Sequence, residues 1–98
     1  MTTPLQLTVR RRDDGTPVLA VAGEIDFSNV ETFREAIARA AGDDELLVID
    51  LTGVHYLDSA ALAALFAHVR HIELIVPSLL RPVLTISGLD VLTTVHVA

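Results

Sequence analysis

The 98-residue chain contains no cysteine and no lysine, and only 4% of it is aromatic. Without cysteine there is no disulfide framework, no thiolate nucleophile and no zinc–thiolate site, a composition that fits a cytoplasmic protein. All seven basic residues are arginine against thirteen acids, giving a net charge of −6. The only basic cluster, Arg10-Arg11-Arg12, runs straight into Asp13-Asp14 and reads as a solvated strand end, so no nucleic-acid partner is expected. The start, Met1-Thr2-Thr3-Pro4, lacks the basic and apolar regions of a signal peptide. The longest purely apolar run, Ala60 to Ala67, falls far short of the roughly 20 residues of a membrane span, so no membrane insertion is expected.

What is present is aliphatic. Hydrophobic residues make up 51% of the chain, so disorder is not expected, and the core is expected to be Leu, Val, Ile and Ala with the three Phe as anchors. The length fits a single domain over residues 1–98, with no repeat, linker or low-complexity tract.

Leu5, Leu7 and Val9 alternate with Gln6, Thr8 and Arg10, the period of a strand with one wet face. Asp13-Asp14-Gly15-Thr16 reads as a hairpin turn, and the apolar return strand Pro17 to Ala22 is expected to pair with the first antiparallel. Val30, Phe33, Ile37 and Ala40 then fall on one helical face, Ser28 with Glu31 forms a candidate capping box, and Gly42 supplies a stop, which predicts a helix over Asn29 to Ala41. Leu46 to Asp50 reads as a buried parallel strand, followed after a short turn by a helix opening at Ser59 and carrying Leu62, Leu65, Phe66 and Val69.

Beyond that helix, either it stops near Ala67 and Ile72 to Val76 forms a strand, or it continues to Pro77. The β-branched run before a proline favours the strand. A third helix, Leu79 to Ile86, tolerates Pro82 in its first turn and ends at Gly88, and Val91 to Val97 is the expected last strand. The order β-β-α-β-α-β-α-β predicts an α/β fold with a mostly parallel sheet.

His68 and His71 are three apart on a helix but have no carboxylate at ligand spacing, and His55 and His96 stand alone, so no metal site is expected. Ser59 with His55 and Asp58 does not form a catalytic triad, because such close neighbours diverge on a strand-to-helix turn and the glycines of a nucleophile elbow are absent. Gly23 and Gly53 are isolated, so no nucleotide-cradling loop is visible and no cofactor is expected. Asp50 at a strand end suggests an aspartyl-phosphate receiver, a chemistry that usually relies on a second acid and a lysine this chain lacks. What remains is the turn Asp58-Ser59, with Asp26 as an expected neighbour at the entrance to the first helix. Locally, Ser59 reads as an N-cap worth about 1 kcal/mol or as a hydroxyl placed where free N–H groups and the helix dipole tolerate a phosphate.

The order of these pieces carries more. Gly23-Glu24-Ile25-Asp26 closes the second strand, Val48-Ile49-Asp50-Leu51-Thr52-Gly53-Val54 forms the third, Leu57-Asp58-Ser59 opens a helix, and Ser87-Gly88-Leu89 precedes the last strand. This pattern resembles the STAS domain of bacterial anti-sigma factor antagonists over nearly the whole chain. The resemblance implies a mostly parallel sheet of four to five strands with an antiparallel N-terminal strand and helices packed on it. It also implies that Ser59 is the acceptor phosphorylated by an anti-sigma factor acting as a serine kinase, with Asp26, Asp58, Ser59, Ala60 and Ala61 contacting that partner. The chain would then be a substrate rather than an enzyme. It departs from the family pattern at Ala60 and Ala61, where a hydroxyl residue and a glycine are usual, and a methyl at Ala61 is expected to narrow the partner's approach. The family's C-terminal helix also has no counterpart before Ala98, so an uncovered apolar flank of the sheet, open to a homodimer, is expected. STAS-like proteins that dock on membrane transporters, or that bind without a phosphate cycle, define the alternative reading.

Overall fold

The computed structural model describes residues 4–42 and 46–98; residues 1–3, read above for a targeting signal, lie outside them. One five-stranded sheet runs in the order β1 (Gln6–Arg11), β2 (Pro17–Ile25), β3 (Leu47–Leu57), β4 (Ile72–Val76), β5 (Thr94–Val97). Only the β1–β2 pair is antiparallel. Its hairpin closes as expected: Gly15 takes φ +89°, Arg12 donates its amide to the Thr16 carbonyl at 2.9 Å, and the Thr16 amide donates to Asp14 Oδ1 at 2.9 Å.

Helices α1 (Val30–Ala41), α2 (Ser59–Phe66), α3 (Arg81–Ser87) and α4 (Leu89–Leu92) share one core with a single face of the sheet. In α1 the stripe Val30, Phe33, Ile37, Ala40 and Ala41 is buried, and Gly42 ends the helix at φ +50° with its amide on the Ala38 carbonyl. In α2 the small residues Ala61 and Ala64 and the larger Leu65 are buried, while Leu62 and Phe66 pack at the margin. From the sheet come Leu19, Val21, Ile25, Leu47, Ile49, Leu51, Ile72, Leu74 and Val76. Complete removal of side chains of this size from water is worth about 1.5–3 kcal/mol each.

Five expectations need correction. The third strand does not stop at Asp50 but runs to Leu57. Its inward residues are Leu47, Ile49, Leu51, Val54 and Leu57, so the spacing changes from two to three after Leu51. The register explains this: from Ala20 to Ile25, β2 passes β3 from Asp50 to Leu57, with irregularities between Ala20 and Ala22 and between Gly23 and Glu24. Bulges absorb the surplus residues and keep the strand paired. The capping box does not form, because the Ser28 hydroxyl donates to Asp26 and Asn29 is the N-cap residue without a side-chain cap bond. The last strand starts only at Thr94, because Gly88 at φ +82° starts a helical turn that takes Val91 and Leu92. The third helix begins as a 3₁₀ turn over Ser78–Leu80 before Arg81. Phe27 is no core anchor: Phe33 is fully buried and Phe66 half-buried, but Phe27 is 81% exposed.

The alternative with a short strand after α2 is the one adopted, with a 3₁₀ turn over Val69–His71 leading into β4. On the sheet face away from the helices the paired Val18 and Val48 are buried, and polar side chains stand around them. Arg10 reaches across β2 to Asp50, with Nη2 and Oδ2 at 3.9 Å, Thr52 donates both its amide and its hydroxyl to Asp50, and His96 Nε2 lies 3.3 Å from Glu73 Oε1. Exposed aliphatics gather instead at Ile86, Val91 and Leu92, around α3 and α4.

Gly53 is fixed by close approach. A Cβ there would lie 2.8 Å from the Ala22 Cβ and 3.2 Å from the Val21 carbonyl oxygen. Gly53→Ala is therefore expected to lower stability by about 1–3 kcal/mol, read as a lower urea midpoint. Beyond α2, His68 Nδ1 and His71 Nε2 stand 3.2 Å apart, and burial, then His71 and Arg34, depress the His68 pKa below 6.5. The folded state therefore favours neutral His68. Its stabilising contribution is present above pH 6.5 and lost as pH falls through the lower folded value. An NMR titration should find His68 titrating below 6.5, and His68→Asn should flatten the fall in melting midpoint across that window.

Candidate functional site

The C-terminal ends of β2 and β3 lie side by side, Ile25 opposite Leu57; β2 leads through a four-residue loop into α1, and β3 through Asp58 alone into α2. Ligand and partner sites in parallel sheets gather at such strand ends, where side chains and free helix termini converge. The chain leaves β3 at Asp58, whose extended backbone (φ −102°, ψ −173°) makes it the N-cap of α2. Its amide donates to the Ile25 carbonyl at 3.2 Å, tying the two strand ends together.

The Asp58 carboxylate has two tasks. Oδ1 accepts from the amides of Ala60 at 2.9 Å and Ala61 at 3.1 Å, and Oδ2 accepts from the amide of Phe27 at 3.1 Å. One side chain thus caps α2 and holds the β2–α1 loop against it. Within that loop Asp26 Oδ1 accepts from the amide and hydroxyl of Ser28, the Asp26 amide donates to Asn29 Oδ1 at 2.9 Å, and Asn29 Nδ2 donates to the Glu24 carbonyl at 2.9 Å. Such Asx-type closure gives the loop a defined backbone before any partner arrives. The Ser28 hydroxyl and amide also hold the Asp26 pKa below 3.8, so Asp26 carries its charge at neutral pH.

Asp26, Asp58 and Ser59 are therefore brought together. Ser59 is the first residue of α2 and is exposed, Ala60 is half-buried, and Ala61 is fully buried. The Ala61 methyl points into the core and does not narrow an approach to Ser59. The expectation of free amides for a phosphate is likewise corrected: those of Ala60 and Ala61 are taken by Asp58, and that of Leu62 donates to the Asp58 carbonyl at 3.1 Å. A phosphate on Ser59 would meet the outside of a helix end already neutralised by a carboxylate. Phe27, Ser28 and Asn29 escaped sequence reasoning as site residues. The pattern Asp-x-Ser-Asn before a helix was the available signal for the loop closure. Among the described residues there is no group of three or more metal-ligating side chains and no helix long and apolar enough to cross a membrane.

Asp58→Ala removes the cap and the loop tether at once, with an expected stability loss of about 0.5–2 kcal/mol and faster hydrogen exchange at the Phe27 amide. Ser59→Ala, which removes an exposed hydroxyl, should stay within about 0.5 kcal/mol of wild type in the same denaturation experiment.

The comparisons with known proteins bear on this geometry. A search of curated protein sequences found no match. Among solved structures, the chain is similar to an anti-sigma factor antagonist from Mycobacterium paratuberculosis, with a TM-score of 0.85 and 27% identity over 95% of this chain and 86% of that one. The anti-sigma factor antagonist SpoIIAA in its unphosphorylated form shares the fold, with a TM-score of 0.74 and 21% identity over 95% of this chain and 88% of that one. A STAS domain antisigma-factor antagonist from Rhodobacter sphaeroides matches at a TM-score of 0.55 and 24% identity over 74% of this chain and 84% of that one. The family model described as the STAS domain matches residues 8–76. The match takes in β2, α1, β3, the Asp58 cap and β4, and the chain belongs to the STAS domain family.

Proposed function

We propose that this STAS domain is an anti-sigma factor antagonist of the cytoplasm: it binds an anti-sigma factor that is also a serine kinase, frees the sigma factor, and is switched off by phosphorylation of Ser59. The observation that carries this reading is the exposed Ser59 hydroxyl at the first position of α2, beside a carboxylate that anchors the adjoining loop. The hydroxyl is accessible to a kinase, while the surface around it is held in a fixed shape. The similarity to antagonists of known structure supports the same role.

In the unphosphorylated state the partner would meet the Asp26–Asn29 loop, Ser59, and the exposed stripe Ser59, Ala63 and Ala67 along α2, whose short side chains allow a close approach. The kinase transfers the γ-phosphoryl group of ATP to Ser59 Oγ, releasing ADP and the hydroxyl proton. The new group carries about −1.5 to −2 charges at pH 7. It is adjacent to Asp58 and faces the kinase site that held the nucleotide phosphates, where like-charge contact costs several kcal/mol. About 2.7 kcal/mol suffices for a hundredfold loss of affinity, so no refolding is needed. The first-turn amides already bound by Asp58 leave the phosphate directed outward, where a partner reads it.

Wild type, Ser59→Ala and Ser59→Asp are to be used as bait in lysate of the source organism, with captured proteins identified by mass spectrometry and then purified for phosphoryl transfer from labelled ATP. The expected result is an ATPase-fold anti-sigma factor bound by wild type and Ser59→Ala, lost with Ser59→Asp, and transferring label to wild type but not to Ser59→Ala. A membrane-transporter subunit captured equally by all three would replace this reading with that of a constitutive docking module.

A further inference from the structure

Four aromatic residues occur in the chain, and two of them are spent on the core: Phe33 is fully buried and Phe66 packs against the core. The other two, Phe27 at 81% and Tyr56 at 50% exposure, both belong to the end of the molecule that carries Ser59. Phe27 lies between Asp26 and Ser28, and Tyr56 is two residues before Asp58, with its Cα paired to that of Glu24. Leaving a phenylalanine in water costs folding what its burial would have contributed, and a partner that covers it recovers that free energy.

The loop beneath Phe27 is built to present it. Its own amide is held by Asp58 Oδ2, Asp26 closes on Ser28, and Asn29 bonds both the Asp26 amide and the Glu24 carbonyl. The backbone on both sides of the ring is thus ordered before binding, which lowers the entropy cost of docking. The carboxylate that presents Phe27 is also the cap of the helix that starts at Ser59. Ring and hydroxyl are therefore held in one fixed frame.

We infer that Phe27 is the apolar anchor of the partner interface, seated in an apolar pocket of the anti-sigma factor beside a basic side chain that pairs with Asp26. This rests on the function proposed above and adds a residue and a pocket chemistry to it. The charge on Asp26 selects the basic neighbour, and the bare ring between Asp26 and Ser28 selects the apolar pocket: an aromatic anchor surrounded by polar groups is the usual make-up of a high-energy contact. Phosphorylation of Ser59 then acts beside the anchor without altering it, so affinity and its control reside in different side chains of one rigid corner.

The test uses the purified ATPase-fold anti-sigma factors of the source organism, titrated calorimetrically with wild type, Phe27→Ala, Phe27→Leu and Ser59→Asp. The expected result is a dissociation constant raised at least about tenfold by Phe27→Ala, with most of the affinity recovered in Phe27→Leu and melting midpoints equal to that of wild type. Unchanged affinity for Phe27→Ala, with binding still lost in Ser59→Asp, would overturn the anchor and leave the phosphoswitch standing. If none of these factors binds wild type, both readings fall together.

Discussion

The carboxylate of Asp58 is the point on which the β2–α1 loop and the start of α2 both depend. Three amides from two separate segments converge on its two oxygens, and its own amide is bound to the last residue of β2. Charge-assisted bonds of this kind are roughly twice as strong as neutral ones. More important than their sum is their connectivity. A loop that would otherwise be free to choose among conformations is referred to a helix end, and that helix end is referred to the sheet.

This arrangement separates the packed interior from the exposed hydroxyl of Ser59. The sheet and the stripes of α1 and α2 supply stability through aliphatic burial, and none of that is altered by chemistry at Ser59. A charge added at an exposed hydroxyl changes the surface potential and leaves the packing intact. A regulatory modification placed one position earlier would strike the cap itself and loosen the corner; one placed two positions later would be buried with Ala61. The position of the hydroxyl in the first turn is thus the one that allows a local signal without cost to the fold.

Much of this was legible in the sequence because the relevant periods are clean. Val30, Phe33, Ile37 and Ala40 announce α1, Leu5 to Val9 alternate, and Asp13 to Thr16 hold the residues that a tight hairpin needs. The second half of β3 was not legible, for a physical reason: Leu51, Val54 and Leu57 recur every third residue, and a period of three in a short segment suggests a turn or a helix rather than a strand. Phe27 was misplaced because composition assigns phenylalanine to the core, and nothing in its neighbours indicates that a distant aspartate holds its amide. Ser28 and Glu31 have the spacing of a capping box, but Asp26 competes for the same hydroxyl and wins by being in the loop with it. Asp26, Asp58 and Ser59 were found by position along the chain, while the bonds that join them come from strand pairing far apart in sequence.

The bulged course of β3 also has a meaning for how such a chain can vary in length. Side chains of a strand alternate between faces, so a single added or lost residue turns every later side chain to the wrong side. Here β3 uses seven steps, from Asp50 to Leu57, to match the five that β2 takes from Ala20 to Ile25, and the two surplus residues are taken up one at each bulge. Leu57 still faces inward, and Asp58 still arrives at the Ile25 carbonyl. Between Leu51 and Leu57, however, each bulge absorbs one residue by itself, Val54 facing inward three residues after Leu51 and Leu57 three after Val54: losing one surplus residue together with its bulge restores a spacing of two and keeps every later side chain on its face, whereas a loss elsewhere in β3 exchanges them.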